Sequence, residues 1–150
     1  MKDLFIRPVK KEDEQVYMEL IRSFYNTDAV IAPLPEEYHL RNFAEALKDG
    51  PFFKVFLLEM EGKSVGVGQI SFRYGSEVGG MECWFEDLYI LEEYRSLGIG
   101  GRFMDYVKER FPANRYRLEV EDTNPRAVAL YEKKGFTTLP YKQMICDLKG

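Results

Sequence analysis

The sequence is short of the residues on which many chemistries depend. It holds a single histidine, His39, two cysteines, Cys83 and Cys146, and one tryptophan, Trp84. One histidine excludes a His-rich metal centre and most Ser–His nucleophile pairs. Two cysteines are too few for a disulfide framework. Both lie in apolar strand-like runs, so they read as buried free thiols rather than a bridge. No histidine is placed by sequence to activate Cys83, which makes it a poor nucleophile. No apolar run is long enough to span a bilayer, and MKDLFIRPVKKED lacks a signal-peptide core, so a cytoplasmic protein with no membrane partner is expected. Basic residues are also short: 21 Lys and Arg stand against 25 Asp and Glu, a formal net charge of −4. That balance argues against a nucleic-acid surface and suits a cationic small partner. The chain has no repeat, low-complexity tract or linker.

Core-forming material is plentiful. Of 150 residues 45% are hydrophobic and 15% aromatic, enough for one domain, residues 1–150, without metal or disulfide staples. LFIRP (4–8) reads as a first strand. Val16, Leu20, Ile21 and Phe24 recur at helical spacing, as do Leu40, Phe43, Ala44 and Leu47. VFLLEM and SVGVGQISFRY read as strands joined at Glu61-Gly62, and MECWFEDLYIL (81–91) as a long strand carrying Glu86-Asp87 in its middle. Phe103, Met104, Val107 and Phe111 stripe the next helix, and RYRLEVE (115–121) is a strand. Asn124 can cap a further helix, with Pro125 in its first turn and Lys133-Lys134-Gly135 at its end. FTTL and KQMICDL read as a closing hairpin. The predicted fold class is α/β (α+β), with mostly antiparallel hairpins and one parallel strand–helix–strand unit over 83–121.

The stretch EEYRSLGIGGRF (92–103) places Arg95 and then Gly98, Gly100 and Gly101 where a strand turns into a helix. Such a corner makes an anion site. The first amides of a helix have no partner inside it, the helix dipole adds positive potential, and glycine lets the main chain come close. The plain alternative is a turn whose glycines serve packing alone. A nucleoside-triphosphate loop requires Gly-Lys-Ser/Thr, and Gly100-Gly101-Arg102 does not supply it. A dinucleotide fingerprint begins with Gly98-Ile99-Gly100 but meets Phe103 at its third small position, where a ring would hold the helix off the strand. Arg95-Ser96-Leu97-Gly98-Ile99-Gly100 fits R-x-x-G-x-G/A in full.

With that motif, and with LEVEDTNPRAVALYEKKGF downstream, the chain resembles the GNAT superfamily of acetyl-CoA-dependent N-acyltransferases over nearly its whole length. The resemblance implies a mixed, mostly antiparallel sheet of six to seven strands flanked by about four helices. It implies transfer of an acetyl group from acetyl-CoA to a primary amine by direct attack in a ternary complex. Arg95, Ser96, Leu97, Gly98, Ile99, Gly100 and Gly101 would hold the pyrophosphate. Leu88, Tyr89 and Ile90, beside an implied strand bulge, would hold the pantetheine arm. Asn124, Tyr131 and Lys133 would complete the cofactor site, though a solvated helix end accounts equally for Lys133. Family members often dimerise, so a homodimer is a further expectation.

The chemistry needs a base, because an alkylammonium with a pKa near 10 is only about one part in a thousand neutral at pH 7. Glu86 is the candidate base, since a carboxylate inside CWFEDLYI is costly to bury without purpose. Strand alternation puts it on the Trp84 face and Asp87 on the other. Glu86-Asp87-Leu88-Tyr89 is also similar to the E-D-hydrophobic-hydrophobic run of small-polyamine acetyltransferases. A solvent-facing Glu86 is the alternative, with Glu82 and Glu119 in reserve through water. Tyr131 is the candidate acid by resemblance; by its own helical stripe it is a core aromatic. Tyr25, Tyr38, Phe53 and Trp84 are candidates for an acceptor pocket, and His39 reads as a surface or cap residue. Glu82, Glu86, Asp87, Glu119, Glu121 and Asp122 would draw a cationic acceptor. A non-catalytic acyl-CoA-binding sensor is the alternative function.

Overall fold

A computed structural model describes residues 3–27 and 33–148. Five strands form one sheet in the order β1 (Leu4–Pro8), β2 (Phe53–Met60), β3 (Lys63–Gly75), β4 (Gly80–Ile90) and β5 (Arg115–Leu118). The first three pairings are antiparallel, and β4–β5 is parallel, as the strand–helix–strand reading requires. Four helices complete the fold: α1 (Glu14–Tyr25), α2 (Glu36–Leu47), α3 (Ile99–Arg110) and α4 (Pro125–Lys133).

The sheet separates two cores. On one face Tyr17, Ile21 and Phe24 of α1 and Phe43 of α2 pack on Leu57, Val67 and Tyr89. On the other, Phe103, Met104 and Val107 of α3 pack on Phe56, Ile70, Cys83 and Phe85. From Val67 onward odd residues of β3 face α1 and α2 and even residues face α3, whereas Val65, at the β2–β3 register shift, packs with the α3 core. Arg7 ties β1 to its neighbours, bonding Asp13 at 2.8 Å and Glu59 at 2.7 Å. Asp13 in turn accepts from the Lys10 amide at 2.7 Å, setting the entry into α1.

Several local readings are revised by packing. The buried stripe of α2 is His39 and Phe43, with Leu40 and Leu47 turned outward, because Tyr25 and Tyr17 offer His39 and Phe43 aromatic partners at 4.8 and 5.2 Å. Phe103 does not hold α3 off the sheet. A Cβ on Gly68 would lie 2.3 Å from its ring, so β3 leaves a slot that the ring fills. Cys83 is buried, as expected, and Cys146 is exposed.

The sheet has five strands rather than six to seven. Residues 137–148 carry no strand, and Met144, Ile145 and Leu148 are 87%, 86% and 89% exposed. The apolar run Met144-Ile145-Cys146 gives that segment strand character, but it pairs with no strand among the described residues, and the outer edge of the four-residue β5 is left open.

Candidate active site

The site forms where β4 outruns β5. Only Glu82–Phe85 pair with β5, so among the described residues no strand lies on the edge of Glu86 to Ile90 that faces away from β3. Leu91 donates its amide to Val65 across β3 at 2.8 Å. By alternation the amides of Ile90 and Leu88 point the other way, toward the open edge. Beyond this edge lies a cleft of about 650 Å³, walled by the end of β4, the turn into α3 and the start of α4.

The turn is shaped by backbone that few residues tolerate. Gly98 caps α3 at φ +78°, and Ser96 also has positive φ, at +70°. The first amides of α3 open into the cleft with no side-chain cap on them. Gly100 lies between Leu88 and Leu130, each 3.4 Å from where its Cβ would be, so a branched side chain there would fill the cleft. Arg95 bonds the Ile90 carbonyl through Nε at 2.9 Å and lies over the Tyr89 ring, which fixes its guanidinium at the mouth. Across the gap Asn124 accepts the Ala127 amide at 3.3 Å and starts α4. Tyr131 follows on that helix with its ring on Phe136, and burial pushes its phenol up, so it holds its proton at neutral pH. Among the described residues nothing bonds the Tyr131 hydroxyl.

Leu88, Tyr89, Ile90, Arg95, Ser96, Gly98, Ile99, Gly100, Gly101, Asn124 and Tyr131 thus line one cleft, although Gly100 and Tyr131 are 31 positions apart in sequence. Leu97, Lys133 and the candidate base Glu86 lie outside it, the first half exposed, the second on the outer side of α4 and the third exposed further back on β4. Arg126 and Thr123 line it and were not singled out from sequence. A guanidinium in the first turn of a helix that borders a glycine corner was the available signal.

Next along β4 is an irregularity. Gln69 faces Asp87 and Ile70 faces Phe85, leaving Glu86 as the extra residue of a β-bulge. The bulge shifts the alternation by one. Asp87 therefore shares the α1 face with Trp84, contrary to the sequence reading, and sits in a chain of hydrogen bonds. Tyr25 donates to Asp87 Oδ1 at 3.2 Å, Gln69 Nε2 donates to Oδ2, and Tyr17 donates to Gln69. Burial is the largest influence on Asp87 and lifts its pKa to about 6, with Glu86 adding to the rise and the two hydrogen bonds opposing it. Glu86 itself is exposed and accepts from the Ser71 hydroxyl.

His39 is buried against Tyr25, one step behind this chain, and not at the surface. Burial lowers its pKa and its Nδ1 has no partner. Cys83 is pushed up to about 12 by burial and stays a thiol. The residues grouped as an acidic set are not all exposed. Glu82 is fully buried among Arg73, Arg115 and Arg117. Of the proposed acceptor aromatics, Tyr25 bonds Asp87, Trp84 lies between Arg73 and Arg117, Tyr38 is stacked by Arg41, and Phe53 packs into the α1 core.

Comparison with known proteins agrees with this arrangement. The sequence model of the acetyltransferase (GNAT) family matches residues 14–136. The chain belongs to the GNAT acetyltransferase family.

A mouse (Mus musculus) thialysine N-epsilon-acetyltransferase is 30% identical over 142 residues, covering 87% of this chain and 82% of that protein. An N-alpha-acetyltransferase of Sulfurisphaera tokodaii is 33% identical over 113 residues, 69% and 67% of the two chains. Among solved structures, a possible acetyltransferase from Clostridium difficile 630 has a TM-score of 0.80 at 20% identity, covering 98% of this chain and 99% of that one. AAC(6')-Iy, solved with the bisubstrate analog CoA-S-monomethyl-acetylneamine, has a TM-score of 0.77 at 16% identity, over 96% and 99% of the chains. These two structures share the fold. GNAT enzymes take their acetyl group from acetyl-CoA, and this chain is an acetyltransferase that uses it. The uncapped amides of α3 and the glycine at the cleft suit a diphosphate, and the open β4 edge suits an extended amide-bearing arm. Among the described residues no group of His, Cys, Asp and Glu could hold a metal, and no helix is long and apolar enough to cross a membrane.

Proposed function

We propose that this chain acetylates the primary amine of a small acceptor, by direct attack in a ternary complex. The observation that carries the reading is the cleft itself, which leads from the diphosphate corner past Tyr131 along the unpaired edge of β4 toward the bulge. Arg95, Ser96, Gly98, Ile99, Gly100 and Gly101 hold the diphosphate, with Arg126 added from α4. Leu97 and Lys133 remain candidates only for the outer phosphates or the nucleoside. The edge amides of Leu88 and Ile90 pair with the pantetheine arm. Acetyl-CoA, when bound, supplies an activated acyl carbon and a sulfur leaving group.

The chain's own residues then divide the work. Glu86 meets the ammonium of the acceptor at the bulge and takes its proton, directly or through water. Asp87 sits behind it. Once ionised above a pH of about 6, it adds a second negative charge that favours the incoming cation. An amide of the β4 edge donates to the carbonyl oxygen as negative charge grows there. Tyr131 keeps its proton at the hydroxyl and offers it to the departing sulfur. Relatives that act on thialysine or on an alpha-amine support an amine acceptor for this chain as well. The exposed Met144, Ile145 and Leu148 support association with a second copy, and the composition supports a cytoplasmic setting.

The test is release of free thiol when purified protein meets acetyl-CoA and a panel of small amines. Turnover on at least one amine is expected. Binding of acetyl-CoA without turnover on any of them would favour a non-catalytic acyl-CoA sensor.

A further inference from the structure

Beyond the bulge, on the same face of the sheet, the charge reverses. Three strands bring Arg73 from β3 and Arg115 and Arg117 from β5 around Glu82 of β4. Glu82 is 1% exposed, and its Oε2 has no hydrogen bond. Arg73 donates through Nε to Oε1 at 2.6 Å, which leaves its terminal nitrogens unbonded. Arg115 is turned to Glu77 at 2.9 Å. Arg117 approaches Glu82 only to 3.7 Å and makes no hydrogen bond among the described residues, though its side chain is 19% exposed. Arg73 and Arg117 both stack on Trp84, at 5.5 and 4.4 Å from the ring. The outer donors of Arg73, a side chain 55% exposed, and of Arg117 are open to solvent or to a ligand. Here two guanidiniums are clamped by an indole and a buried carboxylate, with their outer donors free on the acceptor face.

That geometry suits a planar anion, which guanidinium forks bind in pairs. It disfavours a second cation. Trp84 lies two to three residues from Glu86 and Asp87, about 7–10 Å at roughly 3.3 Å per residue. That span matches the separation of the distal amine and the carboxylate in a basic amino acid. We propose that Arg73 and Arg117, stacked on Trp84 and anchored by Glu82, form a carboxylate subsite, and that the acceptor is a basic α-amino acid acetylated on its distal amine. The proposal rests on the acetyl-transfer reading of the Glu86 end.

The experiment compares L-lysine and L-ornithine with their decarboxylated counterparts, cadaverine and putrescine, as acceptors for the full chain. At least a tenfold higher kcat/KM is expected for the amino acids. Arg117→Gln should collapse that ratio toward one by raising KM for the amino acids, and Arg117→Lys should restore part of it. Arg73→Gln, at a side chain more than half exposed, makes the same test if Arg117→Gln does not fold. Equal or better turnover of the diamines, an unchanged ratio in the variants, or preference for a peptide amino terminus would overturn the proposal. If acetyl-CoA binds and no amine turns over, the acetyl-transfer reading fails separately. Calorimetric titration of L-lysine into the CoA-loaded protein then decides the subsite, since binding lost in Arg117→Gln upholds it and absence of binding overturns it.

Discussion

Two stretches at β4 belong to the proposed site and differ in what they offer. At its C-terminal end the turn through Arg95–Gly101 works with main chain: uncapped amides, a left-handed Gly98, and a Gly100 that leaves the cleft open. Four residues before that end, the bulge offers side chains: an exposed Glu86, and a half-buried Asp87 bonded by Gln69 and Tyr25. The first region depends on local backbone conformation and tolerates little at a few positions. The second depends on how β3, β4 and α1 align. The contrast predicts that damage to the turn acts on affinity and damage to the bulge acts on turnover.

The largest effect should come from Glu86→Gln. Loss of the proton acceptor should lower kcat/KM by about 10²–10⁴-fold, with acetyl-CoA affinity by calorimetry within a few-fold of the parent. A comparable loss of affinity would break the contrast. Next is Gly100→Val. Crowding against Leu88 and Leu130 at about 1–3 kcal/mol should weaken acetyl-CoA binding by roughly 5–150-fold, and saturating cofactor should recover much of the turnover. Tyr131→Phe removes one hydroxyl from the cleft while leaving the ring on Phe136. Single-turnover rates should fall by about tenfold, in line with one lost hydrogen bond of about 1–1.5 kcal/mol, and Kd should hardly move. If Tyr131→Phe keeps full turnover, its role as the acid is wrong.

The smallest kinetic effect, and the sharpest in pH, belongs to Asp87→Asn. The wild-type kcat/KM should rise as pH passes about 6, and the variant profile should lose that step. Stability moves the opposite way. The folded-state pKa of about 6 lies above the ordinary 3.8, so the folded chain holds this proton more tightly than the unfolded chain. Wild-type stability therefore falls as pH rises from about 4 to 6 and stays lower above that. Asp87→Asn should raise Tm at pH 8, by the equivalent of at most about 3 kcal/mol, with little gain at pH 4. An equal gain at both pH values would show that Asp87 is not the titrating group.

Legibility followed the same division. The glycines of the turn, the Asn124 cap and the α3 stripe each follow from residues within a turn or two of one another, and all were readable. The α2 stripe was misread because aromatic partners on α1 decide which side turns inward. Phe103 looked too large for its place because the slot that receives it is Gly68, 35 residues earlier on another strand. Residues 137–148 have the apolar content of a strand but pair with none among the described residues. Asp87 was assigned to the wrong face because alternation was counted straight through the bulge that the resemblance implied and that pairing with β3 places at Glu86.

What the sequence alone determined is therefore the corner: glycine and cap positions prescribe backbone conformation, and backbone conformation is local. The tertiary structure decided which charges meet on the α1 face of β4, the proposed acceptor face. Asp87 reaches Tyr25 and Gln69, and Arg73, Arg115 and Arg117 converge on Glu82, only because register and bulge bring separate strands and a helix to the same place. Side-chain direction in a sheet accumulates along every residue of a ladder, so one extra residue changes the face of all that follow.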